Sequence, residues 1–112
     1  MDCLFCKISA GEIPSKKIYE DDRFLAFFDI APQAPIHILV IPKEHLTSVD
    51  EINDSNKNVI ADLFALIPII AKKAGIQNGY RVISNIGENA CQSVKHIHFH
   101  ILGGAKLSDK MA

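Results

Sequence analysis

Three of the chain's five histidines stand at His96, His98 and His100, alternating with the apolar residues Ile97, Phe99 and Ile101. A period of two belongs to a half-buried β-strand, so the spacing predicts a strand over 96–102 with the three imidazoles on one face and the apolar side chains in a core. With about 3.3 Å of rise per residue, neighbouring rings stand roughly 6.5 to 7 Å apart. A purely structural strand has little use for three side chains that are costly to desolvate and change charge near neutral pH, so this stretch marks a site. Two chemistries suit it. An imidazole with one nitrogen held as a donor presents a lone pair on the other and attacks an electrophile such as a phosphoryl group. A His-x-His pair on a strand also chelates one metal ion, given a third ligand, for which Asp29, Glu88 and His37 are conceivable. Residue type and spacing leave both readings open.

Two further groups of residues suit that chemistry. The small-residue loop from Ile86 to Ser93 delivers the chain to the histidines, and its backbone N–H groups and the Ser93 hydroxyl suit an anionic group, with Asn85 as a neutral donor beside them. No Gly-rich phosphate loop of the Walker kind is present, so a nucleotide would be held differently. Cys3 and Cys6 have metal-ligand spacing, a half-site for zinc or two ordinary thiols; with Cys91 they make an odd set, which in a reducing compartment argues against a disulfide framework.

The elements that must position these residues follow in order. Residues 2–10 suit a short helix, stopped by Gly11 and Pro14; 17–20 and 23–28 suit the strands of a hairpin around Asp21-Asp22. Ala31 to Pro35 cannot continue a ladder, because proline has no N–H to donate. His37 to Ile41 is almost continuously apolar, as in a central strand covered on both faces. A helix is expected over 57–74, with Asp54 or Ser55 as N-cap, Gly75 as stop, and Pro68 kinking or splitting it near Phe64. Its apolar stripe is wider than one sheet contact needs, which points to a partner subunit. A strand over 80–85 completes an α+β fold of about five largely antiparallel strands and one long helix. The 112 residues, 48% hydrophobic, fit one domain, 1–112. A net charge of -1 disfavours nucleic acid or anionic membrane as a partner, and no apolar run approaches the ~20 residues of a membrane span. Without a signal-peptide pattern, a soluble, cytoplasmic protein is expected.

The stretch His96-Ile97-His98-Phe99-His100-Ile101-Leu102 resembles the signature of the histidine triad (HIT) family, three histidines interleaved with apolar residues. The likeness extends through Phe5-Cys6-Lys7-Ile8, Glu12-Ile13-Pro14, the segment 27–35, His37 to Lys43, Asn85-Ile86-Gly87 and Gln92-Ser93, in the order of the Hint-like branch. The resemblance implies a HIT fold, a five-stranded mainly antiparallel sheet with one long and one short helix, dimerising into a ten-stranded sheet. It implies binding of purine nucleoside monophosphates and hydrolysis of purine nucleoside 5'-phosphoramidates. Under it, His98 is the nucleophile of a nucleotidyl-histidine intermediate, His100 contacts the phosphate with Asn85 and Ser93, and Ser93 helps protonate the leaving amine. His37 supports the triad, Asp29 takes the ribose hydroxyls, and Leu4, Phe5, Ile8, Phe27 and Ile30 wall the base pocket. No cofactor is implied for catalysis, but Cys3, Cys6, His45 and His96 match the ligands of a structural zinc found in some bacterial relatives. Dinucleoside polyphosphate hydrolysis, or nucleotide binding with incidental hydrolysis, is the alternative. The chain departs from the branch in three places: a short C-terminal tail without tryptophan, Pro68 in the long helix, and Cys91 where glycine is common.

Overall fold

A computed structural model describes residues 3–111. After a short helix α1 (Leu4–Ser9) come strands β1 (Lys17–Glu20), β2 (Phe24–Phe28) and β3 (Ile36–Pro42), the long helix α2 (Lys57–Lys73), and strands β4 (Tyr80–Ile83) and β5 (Phe99–Gly103). They form one antiparallel sheet of order β1-β2-β3-β5-β4. β3 is central, as its unbroken apolar character requires, and every residue from His37 to Pro42 is buried.

Alternation along the strands builds two cores. Phe24 and Ala26 of β2, Ile38 and Val40 of β3, and Ile97, Phe99 and Ile101 face α2, where Leu63, Ile67, Ile70 and Ala71 meet them. Leu25, Phe27, Leu39 and Ile41 point to the other face and are covered by Phe5 and Ile8 of α1. That second face also carries the histidines. A helix of one and a half turns has little stability of its own, so α1 is held by what it packs on.

Four local expectations need correction. The ladder begins at Phe99, so His96 and His98 precede the strand and only His100 lies in it; the main chain before it finds other partners, the Ile97 N–H donating to the Leu46 carbonyl and the His98 carbonyl accepting from Ser84 Oγ. β4 ends at Ile83, leaving Ser84 and Asn85 in the following loop. α2 has Asn56 rather than Asp54 or Ser55 at its N-cap, and with no side-chain cap, because the Asn56 side chain turns back, its Oδ1 accepting the Asn53 N–H and its Nδ2 donating to the Glu51 carbonyl. Pro68 does not split α2, which runs unbroken from Lys57 to Lys73. It sits on the exposed face beside Ile69, where water can take the Phe64 carbonyl that proline leaves without a donor. No helix among the described residues is long and apolar enough to cross a membrane.

Candidate functional site

The central strands and α1 enclose a cleft of about 580 Å³. Leu4, Phe5, Ile8, Phe27 and Leu39 form its apolar wall, and Asp29 and Ile30 line it where β2 ends. His98, His100 and Ser93 line it too. Phe5 ties the wall to the histidines: its ring meets His98 edge-on at 5.1 Å and Phe27 at 5.6 Å between centroids. The His98 and His100 rings meet edge-on at 5.1 Å, closer than the strand repeat predicts, and His98 lies ahead of the strand.

Hydrogen bonds decide which nitrogen of each ring carries the proton. His98 Nδ1 lies 2.7 Å from the His96 carbonyl. A carbonyl only accepts, so Nδ1 holds the hydrogen and Nε2 keeps its lone pair. The Gln33 backbone N–H donates to His37 Nδ1 at 3.0 Å. His37 Nε2 therefore carries the hydrogen and donates it to His100 Nδ1 at 2.8 Å. His100 Nε2 is left as a donor. The chain of bonds yields one ring with a free lone pair and, beside it, one with a free N–H.

Electrostatics keep these rings neutral. Burial holds His37 and His98 below the ordinary 6.5, opposed in both by the negative charge of Asp29 and in His98 also by its bond to the His96 carbonyl. His100 falls further, to about 4, through burial and then the neighbouring His98 and His37. Asp29 Oδ1 accepts the Ala31 N–H at 2.8 Å, while Oδ2 stands 3.5 Å from His37 Nε2. Asp29, His37 and His100 are close enough to hold a cation. Their hydrogen bonds argue otherwise: with Nδ1 accepting from Gln33, His37 Nε2 has a hydrogen to give and no lone pair.

A second cluster has the opposite character. His96 Nε2 lies 2.8 Å from the Pro42 carbonyl and so donates to it, which turns the Nδ1 lone pair toward Cys3 Sγ at 3.4 Å, Cys6 Sγ at 3.5 Å and His45 Nδ1 at 3.2 Å. Cys6 Sγ and His45 Nδ1 are 3.3 Å apart. A tetrahedral ion with Zn–S of about 2.3 Å and Zn–N of about 2.0–2.1 Å needs S···N edges near 3.6 Å and an N···N edge near 3.3 Å. The donor atoms therefore fit a four-coordinate zinc. Burial, followed by the Cys3 side chain, pushes the Cys6 thiol up to about 11, a cost that a bound cation would remove.

One residue expected at the phosphate lies elsewhere: Asn85 does not line the cleft, and its amide donates to the Ala90 carbonyl. His37, expected to support the triad, stands behind His100 and bonds to its Nδ1. Cys91 does not narrow the cleft: it is exposed, and its φ of +61° is the left-handed region where glycine is favoured. Sequence reading missed Leu39 and Lys16. Leu39 was recoverable, since alternation puts it on the His37 face opposite His100. Lys16, whose ammonium stands 5.3 Å from the Phe28 ring at the mouth, carries no pattern of its own.

The HIT domain family model matches residues 10–107. The chain is 45% identical over 107 residues to the "14 kDa zinc-binding protein" of Zea mays, covering 94% of this chain and 84% of that one. It is 41% identical to the "Adenylylsulfatase HINT1" of Arabidopsis thaliana, covering 94% of this chain and 73% of the relative. The solved structure of a HIT family hydrolase from Clostridium thermocellum superposes with a TM-score of 0.95 at 46% identity, over 99% of this chain and 97% of that one.

Proposed function

The chain belongs to the HIT family, and from that premise we propose that it is a single-domain hydrolase, 1–112, that cleaves the P–N bond of purine nucleoside 5'-phosphoramidates. The observation that carries this reading is His98: a neutral ring, donor side tied to the His96 carbonyl, lone pair at Nε2, at the junction of an apolar wall and an N–H donor. A purine suits the wall of Phe5, Ile8, Phe27 and Ile30, and the Asp29 carboxylate at the cleft's edge suits ribose hydroxyls.

In this mechanism His98 Nε2 attacks the α-phosphorus as the P–N bond breaks, and the bond's electron pair leaves with the amine, which takes the Ser93 hydroxyl proton while solvent water returns one to Ser93, a proton that the hydrolytic water of the second step gives back to solvent. The new nucleotidyl-histidine carries positive charge, which the His96 carbonyl stabilises through Nδ1–H. His100 Nε2–H meets a phosphate oxygen, its direction set by the relay from Gln33 through His37. Asn85 contributes by bracing the loop that presents Ser93. Water then breaks the P–Nε2 bond, releasing the nucleoside monophosphate and restoring the ring. The adenylylsulfatase name of the Arabidopsis relative fits the same route with a different leaving group.

The test is to mix the protein with adenosine or guanosine 5'-phosphoramidate and follow amine release and intact mass. Release with a transient nucleotidyl adduct is expected. Turnover confined to diadenosine polyphosphates would move the reading to that class, and nucleotide binding without turnover would make the protein a binding module. Acid should inactivate through His98: protonation fills the Nε2 lone pair, and burial lowers that event. The kcat/KM profile is therefore expected to be level at neutral pH and to fall with a midpoint below 6.5. A midpoint at or above 6.5 would contradict a buried neutral nucleophile.

We propose further that Cys3, Cys6, His45 and His96 hold a structural zinc with no open position, pinning α1, the segment after β3 and the entry to β5 together. Thiol ligands and the free Cys91 suit a reducing, cytoplasmic compartment. A homodimer is supported by the open edge of β4, where Val82 is exposed, and by exposed Phe64 and Ile69 on α2. Pairing of β4 with its copy would give the ten-stranded sheet. Phe64→Glu with Ile69→Glu is expected to convert a dimer to a monomer in sedimentation velocity, and a wild-type monomer at micromolar concentration would exclude the dimer.

A further inference from the structure

Gln92 is a loop residue with no role in the chemistry above, yet both ends of its side-chain amide are engaged. Its Oε1 accepts the Gly87 N–H at 3.0 Å; its Nε2 donates to the Thr47 carbonyl at 2.7 Å and to the Val94 carbonyl at 3.1 Å. Its own backbone N–H donates to the Gly87 carbonyl at 3.1 Å. The partners fix the amide's orientation, since a flip would set donors against the Gly87 N–H and an acceptor against two carbonyls. Ser93 thus lies between two tethered points, the Gln92 backbone before it and the Val94 carbonyl after it.

The loop has few other anchors. Gly87, Glu88, Asn89, Cys91 and Ser93 are all exposed, so besides the bond from Asn85 to the Ala90 carbonyl the turn has apolar packing only at its end, where Val94 meets the second core. Gly87 and Cys91 both take positive φ, which lets the loop double back on itself. Thr47, by contrast, follows Leu46, whose carbonyl accepts the N–H of Ile97 beside the histidines. Gln92 therefore joins an exposed loop to a segment already fixed to the site.

We propose that Gln92 is a positioning residue for the reaction: its amide fixes the Gly87–Val94 loop so that the Ser93 hydroxyl meets the leaving group in the cleft. The inference rests on the reading of Ser93 given under the proposed function. It makes a demand that a stabilising loop contact would not. Loss of the amide should matter only for a leaving group that needs a proton.

Gln92→Glu keeps the shape and turns the two donors into acceptors facing carbonyls; Gln92→Ala removes the contacts without repulsion. Each is expected to lower kcat for an alkylamine phosphoramidate by about 10- to 100-fold, the range in which small misplacement of a catalytic group acts. With the p-nitrophenyl ester of AMP, whose phenolate leaves without a proton, the loss should stay below about threefold. Gln92→Ala added to Ser93→Ala should cost nothing beyond Ser93→Ala alone. Equal losses on both substrates, additive losses in the double variant, or full activity would each overturn the proposal. Amide hydrogen exchange of 87–94 reads the tether without turnover. Faster exchange in Gln92→Ala is expected, and unchanged exchange overturns the tether. A wild-type protein that turns over neither substrate would refute the catalytic reading alone, leaving the exchange result to judge the tether.

Discussion

His98→Ala is expected to lower phosphoramidate turnover by at least about 10⁴-fold while changing the affinity for AMP by no more than about threefold. The first effect is large because the substitution removes the attacking atom. Neither neighbour replaces it: His100 Nδ1 is engaged by His37 and His100 Nε2 carries a hydrogen, while both His96 nitrogens are committed, one to the Pro42 carbonyl and one to the thiol cluster. The second effect is small because the base wall and Asp29 lie on other elements. His98 packs edge-on against Phe5, so truncation opens space next to the wall, and Asn at this position serves as a second variant that fills more of it. Steady-state kinetics and calorimetric titration with AMP check both halves. Turnover retained within about tenfold would remove His98 from the role of nucleophile.

Metal removal is expected to have the next largest effect, here on stability. Cys3 caps α1 through its Sγ, which accepts the Cys6 N–H at 3.4 Å, and both thiols stand at the end of a helix only six residues long. Without a cation the cluster holds two thiols against two imidazoles, one of them fully buried, and the packing of Phe5 is left to secure the start of α1. Binding to the folded state alone adds its linkage free energy to stability. A loss of about 3 kcal/mol on chelation corresponds to a fall in Tm of roughly 10 °C or more for a domain of this size. Cys6→Ala should reproduce that fall and abolish further sensitivity to chelator, whereas Cys91→Ser, at an exposed position, should leave Tm unchanged. Elemental analysis should find one zinc per chain in the wild type. A melt indifferent to chelator, with no metal found, would contradict the zinc reading.

Much of this arrangement was legible in the chain because it rests on short periods. The alternation of His96 to Leu102 marks one strand and the apolar run of His37 to Ile41 marks a central one; that β3 and β5 are neighbours, with His37 and His100 joined across them, is supplied by the fold. The extent of the histidine strand was not legible. Its first half follows the pattern of a strand, but its main chain bonds to the Leu46 carbonyl and the Ser84 hydroxyl rather than to β3, partners that no periodicity encodes. Pro68 misled for a related reason: the penalty for proline depends on whether the orphaned carbonyl faces water, which only the packing of α2 decides. The same limit applies to tautomers. That His37 reads Gln33 and passes its hydrogen to His100 follows from a turn that places an N–H four residues upstream against a ring, and the sequence shows only that a proline-rich connection lies there.

The central claim is that phosphorus passes through a bond to His98, and the most direct measurement is the stereochemical course at that phosphorus. A nucleoside phosphorothioamidate of single configuration, hydrolysed in heavy-oxygen water, undergoes two successive in-line displacements if His98 is transiently nucleotidylated. Net retention of configuration is predicted. Inversion would mean that water attacks the phosphorus directly, and would contradict the covalent account.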